Sequence, residues 1–133
     1  MKITVFGATG KTGSEVVRLA LDRGYNVVAF VRDSRKVTIE NPQLEVVQGE
    51  LGDKETLRTA LKGSDGVISA LGPTGKPSDA ELSDGIANVL SVMEEYGIKR
   101  FIVLSTTSNQ DSLDKDGSRF RMRRNMIRRG RPL

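Results

Sequence analysis

The chain has 133 residues, enough for one domain with its own core, and its 37% hydrophobic and 29% charged residues are the balance of an ordinary soluble globular protein. It holds no cysteine and no histidine, which excludes a disulfide framework, a thiolate nucleophile or metal site, and any serine–histidine–aspartate mechanism. The net charge of +4 belongs to the C-terminal end: residues 119–133 hold seven arginines and no acid, while the rest sets fourteen Lys/Arg against all 17 Asp/Glu.

Met1 opens directly onto an apolar strand, Lys2–Phe6, closed by the turn Gly7-Ala8-Thr9-Gly10. This start lacks the longer apolar stretch and cleavage site of a signal peptide, and no run approaches the ~18 apolar residues of a membrane span. The expectation is a cytoplasmic protein with no membrane contact. Thr12–Arg23 reads as a helix with Val16, Val17, Leu19, Ala20 and Leu21 as apolar residues and Gly24 at the C-terminal cap. Asn26–Val31 is a second strand, followed by the polar stretch Arg32–Lys36, and Leu44–Val47 a third. Asp53 caps a helix through Leu61, with Glu55 favourably placed against the helix dipole. Gly66–Leu71 is a fourth strand, closed by the helix-breaking loop Gly72–Pro77. Ser78 or Asp79 caps a long helix to about Tyr96, Gly97 ends it, and Lys99–Ser105 is a fifth strand. Strands alternating with helices predict an α/β fold around a parallel sheet, with the buried strands almost continuously apolar because helices cover both faces. The alternation stops near Ser108, so residues 1–108 are expected as one domain and 109–133 as a polar loop and arginine-rich segment.

Gly7-Ala8-Thr9-Gly10-Lys11-Thr12-Gly13 spaces three glycines between the first strand and the first helix. Glycines there permit a tight turn, close approach of a pyrophosphate and hard packing of helix on strand, while the helix N-terminus offers free N–H groups to phosphate. The triplet alone would suit any tight turn. Its strand–turn–helix setting, with a second strand at the right distance, selects the Rossmann-type dinucleotide site. Gly10-Lys11-Thr12 mimics the end of a P-loop, but that motif needs a glycine five residues before Gly10, where Val5 stands inside the strand.

Cofactor preference is read at the end of the second strand, where an acid serves the ribose hydroxyls of NAD and an arginine the 2′-phosphate of NADP. Here Val31 is followed by Arg32, with Arg35 and Lys36 close behind. Arg32 is suited to a bidentate contact with phosphate, which favours NADP(H) over NAD(H). A solvated surface arginine is the plainer reading, and Asp33 is itself able to serve a ribose hydroxyl.

Four segments together resemble the atypical short-chain dehydrogenase/reductase group: Gly7–Gly13, Val31-Arg32-Asp33-Ser34, Asp65–Ile68 before Leu71-Gly72, and Gly97–Ile102. Within that group the likeness is to the NAD(P)H-binding, NmrA-like proteins and the biliverdin reductase B / flavin reductase type, and it covers residues 1–108. The resemblance implies that Gly7, Thr9, Gly10, Lys11 and Thr12 line the pyrophosphate and that Arg32 holds the 2′-phosphate. It places Glu50 and Leu51 by the adenine, where relatives usually carry aspartate before the apolar residue. Leu71 and Gly72 would pass near the nicotinamide ribose, with Ser105, Thr106 and Thr107 beside the nicotinamide. The Tyr-x-x-x-Lys acid of many short-chain dehydrogenases is absent, since the only tyrosines are Tyr25 and Tyr96. Hydride transfer in the flavin-reductase type asks little of the protein beyond positioning. Thr106 matches a hydroxyl residue suspected of assisting there, or simply satisfies backbone groups at a strand end. Members of the group continue further, with a sixth strand and a substrate wall. The resemblance thus implies a C-terminal part that these residues do not include.

Two functions follow as expectations. One is an NADPH-dependent oxidoreductase passing hydride to a small planar acceptor such as a flavin, tetrapyrrole or quinone; the other is a redox-sensing regulator that binds NADP without turnover. The arginines from Arg119 to Arg131 suit an anionic or protein partner. With Phe120 as their only aromatic neighbour they give nucleic-acid stacking little support, and a solvated amphipathic helix explains them equally well.

Overall fold

A computed structural model describes residues 1–71 and 79–104. Among them, strands β1 (Lys2–Phe6), β2 (Asn26–Val31), β3 (Leu44–Gln48), β4 (Gly66–Ser69) and β5 (Phe101–Val103) alternate with helices α1 (Lys11–Asp22), α2 (Lys54–Leu61) and α3 (Asp79–Glu95). A 3₁₀ turn, Ser34–Lys36, follows β2. The strands form one parallel sheet in the order β3-β2-β1-β4-β5. This is the doubly wound, Rossmann-type arrangement, in which the chain reverses direction across the sheet between β1 and β4.

Strand periodicity divides the core in two. Val27, Ala29 and Val31 of β2 point with Val5 toward Val17, Ala20 and Leu21 of α1. Val28 and Phe30 point with Phe6 and Val67 toward Leu57 and Leu61 of α2 and Val89, Val92 and Met93 of α3. Thr4 shares the second face, and its buried Oγ1 lies 2.9 Å from the Ala60 carbonyl it bonds and 2.5 Å from Ser64 Oγ. That satisfies a hydroxyl that would otherwise cost about 1–3 kcal/mol to bury.

The expectation that every strand is buried fails at both margins. In β3 no residue is fully buried, and Ile102 and Val103 of β5 are 54% and 50% exposed. An apolar run does not distinguish a central strand from an edge strand, which has a neighbour on one side only. The strand ends also move. β4 stops at Ser69 instead of Leu71, because Gly7 turns β1 away once Ala70 N–H has bonded the Phe6 carbonyl at 2.9 Å. β5 is correspondingly short and α1 begins one residue early. Ser78, the boundary expected at residue 108 and the arginine-rich segment lie outside the described residues.

Asp53 caps α2 as expected, bonding the N–H groups of Glu55 and Thr56 at 3.1 and 3.4 Å and the Thr56 hydroxyl at 2.6 Å. The Thr56 hydroxyl above all, then its N–H, holds the Asp53 carboxyl below the ordinary carboxylate range. Its contribution is therefore complete above that range and is lost as pH falls through the depressed value. Asparagine caps equally well but does not titrate. Asp53→Asn is expected to match the parent near neutrality and to show a shallower acid loss of stability, measured as urea midpoint against pH; parallel curves would remove Asp53 from the acid response.

Candidate functional site

The site is built on the carboxyl ends of the strands, where the sheet reverses order. Gly7 leaves β1 with φ +72°, and an ideal Cβ there would sit 3.0 Å from both Ala70 C and Leu71 N. Only glycine combines this backbone angle with this approach to the end of β4. Gly10 N–H closes the turn on the Gly7 carbonyl at 3.2 Å. Gly13, buried in the first turn of α1, has its missing Cβ directed into the Gly7 carbonyl, 2.6 Å from Gly7 C. Gly10 differs from both: among the described residues an ideal Cβ would meet nothing nearer than the Gly7 carbonyl oxygen at 3.5 Å, which leaves room beside it for a ligand.

Gly10 is also the N-cap of α1. It provides no side-chain cap, and the first turn contains no acid. Among the described residues the leading N–H groups of the helix are thus left for an anion, with the positive end of the dipole behind them and no carboxylate in the first turn to repel it. Thr9, Gly10, Lys11 and Thr12 are all exposed around this opening. These residues fit a dinucleotide pyrophosphate.

Moving along the sheet, the carboxyl ends present Glu50 and Leu51 beyond β3, Arg32 beyond β2, the glycine turn beyond β1 and Leu71 beyond β4. The structure therefore brings these sequence-selected positions to one edge in linear order. Arg32 is exposed and makes no ion pair among the described residues. Arg35 is committed elsewhere. Its backbone N–H and Nε each lie 3.0 Å from Asp33 Oδ1, and Nη2 lies 3.1 Å from Oδ2. The Arg35 guanidinium, then its N–H, hold the Asp33 carboxyl below the usual range. The acid that could have served a ribose is engaged with its neighbour. Gly72, Ser105, Thr106 and Thr107 lie outside the described residues.

Sequence reading missed four positions that shape this edge. Gln48 Oε1 accepts the Ser34 N–H at 3.0 Å and fixes the start of the loop after β2. Gly49 N–H bonds the Val31 carbonyl at 2.9 Å, and an ideal Cβ there would run into the Thr56 side chain, 3.0 Å from its Cβ, and lie 3.3 Å from Phe30 Cζ. Gly85 and Asn88 of α3 contact Leu51. An isolated glycine inside a helical pattern was the available signal for Gly85; the others have none at the level of local sequence. Among the described residues there is no cluster of acids able to hold a metal, and no helix is long and apolar enough to cross a membrane.

Fold and site together define a Rossmann-type dinucleotide-binding protein. The family model described as NAD(P)H-binding matches residues 7–130, and the chain belongs to that family. The atypical short-chain dehydrogenase group fits this membership. The chain is similar to the photosystem II assembly factor Ycf39 of Guillardia theta, 38% identical over 117 residues, covering 84% of this chain and 37% of that protein. It is 32% identical over 124 residues to the (4-alkanoyl-5-oxo-2,5-dihydrofuran-3-yl)methyl phosphate reductase of Streptomyces griseus, covering 86% of this chain and 44% of that enzyme. The crystal structure of the oxidoreductase ylbE from Lactococcus lactis superimposes with a TM-score of 0.74 at 25% identity, covering 92% of this chain and 56% of that one. The chain thus spans less than half the length of the two curated relatives.

Proposed function

We propose that the chain binds NADP(H) in preference to NAD(H), and that the whole protein is an NADPH-dependent reductase of a small planar acceptor, such as a flavin, tetrapyrrole or quinone. The observation that carries the cofactor reading is the pairing at the end of β2. Asp33 is engaged by Arg35, while the neighbouring Arg32 has no ion partner among the described residues. Arg32 then receives the 2′-phosphate, and the acid that would repel it is already neutralised locally. Arg35 contributes by holding that acid and by adding its own positive charge to the loop. Gly7, Thr9, Gly10, Lys11, Thr12 and Gly13 form the pyrophosphate turn. Glu50 and Leu51 border the adenine, Leu71 and Gly72 the nicotinamide ribose, and Ser105 and Thr106 the nicotinamide, where the Thr106 hydroxyl assists.

The bound cofactor would supply the hydride; the protein's part is to hold the donor and the acceptor in contact. The short-chain-dehydrogenase character of the family and the reductase among the relatives support this reading. A second reading has its own support: another relative is named a photosystem II assembly factor. In that case the protein binds NADP as a redox-sensing regulator, without turnover.

Calorimetry with NADP⁺ and NAD⁺ at one salt concentration tests the cofactor. NADP⁺ is expected to bind at least about tenfold tighter, a gap of about 1.4 kcal/mol, and Arg32→Ala to close that gap. Equal affinities in the parent would overturn the preference, and no binding of either would overturn the cofactor site. Sustained NADPH oxidation with flavin or quinone favours the reductase; tight binding without it favours the regulator.

A further inference from the structure

Leu51 is placed by the residues before and after it and by a helix distant in sequence. The segment leaves β3 with Gly49 N–H bonded to the Val31 carbonyl at 2.9 Å, and turns into α2 with Asp53 N–H bonded to the Glu50 carbonyl at 3.0 Å. Between these two points the Leu51 carbonyl accepts a hydrogen bond from Asn88 Nδ2 of α3 at 3.0 Å, across 37 residues of sequence. One turn earlier on α3, Gly85 is buried where an ideal Cβ would lie 2.6 Å from Leu51 Cβ and 2.8 Å from Cδ1. The missing side chain of Gly85 makes the room that the leucine occupies.

Glycine and asparagine are both unfavourable inside a helix, glycine for its backbone entropy and asparagine for its competing local hydrogen bonds. One turn apart on α3, both act on the same residue: Gly85 leaves the space for the Leu51 side chain and Asn88 holds its carbonyl. We propose that Gly85 and Asn88 are positioning residues for the adenine end of the dinucleotide, acting through Leu51 without touching the ligand. This rests on the reading that Leu51 borders the adenine.

The test uses ADP, which carries adenine and pyrophosphate without depending on the 2′-phosphate, and inorganic pyrophosphate, which lacks the adenine. Asn88→Ala is expected to weaken ADP by about tenfold and leave pyrophosphate unchanged. A merely structural defect would not separate the two probes. Gly85→Ala is expected to weaken ADP similarly, and the added Leu51→Ala to restore it to the level of Leu51→Ala alone, the non-additivity of residues in contact. Should Gly85→Ala not fold, Asn88→Ala with the two probes decides. If the parent binds ADP and folded Asn88→Ala binds it equally well, the positioning role is overturned while the cofactor reading stands. If the parent binds neither ADP nor NADP⁺, the cofactor reading fails and takes this inference with it.

Discussion

Gly13→Ala is expected to cost at least about 3 kcal/mol of stability, beyond the usual range for an added methyl in a packed core, and to abolish NADP⁺ binding. The new Cβ would overlap the Gly7 carbonyl and lie 2.6 Å from Gly7 C and 3.0 Å from Ala8 Cα. All three are backbone atoms, so no side chain can swing aside. Gly7 has no slack either, since it already lies against Ala70 and Leu71 and accepts the Gly10 N–H. The remaining response is for α1 to lift from the sheet, and that exposes Val17, Ala20 and Leu21, which it buries against β1 and β2. Gly10→Ala supplies the contrast. With nothing nearer than 3.5 Å among the described residues, it should keep the parent's unfolding midpoint and lose NADP⁺ affinity, because its methyl occupies the space proposed for the pyrophosphate. Denaturant unfolding and calorimetry on the two variants separate the roles. A Gly13→Ala protein with the parent's midpoint would show that the close approach is not needed.

The glycine turn was legible because its constraints are local. A strand, a positive-φ exit, a helix N-terminus and a close helix–strand contact all fall within residues 2–13, so spacing alone carries them. The same holds for the Asp53 cap, whose partners lie two and three residues away. Edge and centre were not legible. Leu44–Val47 reads as a strand just as Asn26–Val31 does, yet β3 is half open and β2 closed; Glu45 hints at an open face, but strand order is set by crossovers and not by composition. Asp33 was local but ambiguous: its offset from Arg35 permits the fork, while its place at the end of β2 equally permits a ribose contact. The tertiary structure chooses the fork. Leu51 was chosen by resemblance, but what holds it comes from α3, at a separation no periodicity reaches. The adenine side of the site therefore depends on tertiary packing more than the pyrophosphate side does.

That dependence makes Phe6→Ala the second change of large effect. Phe6 is the last residue of β1, 1% exposed, and its ring lies 5.1 Å from that of Phe30, its register partner on β2. Leu57, Leu61, Val89 and Val92 complete the cluster. Truncating a buried phenylalanine costs about 3–5 kcal/mol, against about 5–15 kcal/mol for the total stability of a domain. The loss should extend to the site, because Phe30 Cζ, together with the nearer Thr56 side chain, faces Gly49, where the segment toward Leu51 begins. Without Phe6 the Phe30 ring loses its partner, and that segment loses the part of its support that Thr56 does not provide. Phe6→Ala is therefore expected to show a lowered urea midpoint with an unchanged m-value, and weaker ADP binding by the folded fraction. Phe6→Leu, which keeps most of the volume, should cost less than about 1.5 kcal/mol and hold ADP nearly as the parent does. If Phe6→Ala lost stability but bound ADP unchanged, the core beneath β1 and β2 would be mechanically independent of the loop above it. The adenine side would then be supported from α3 alone.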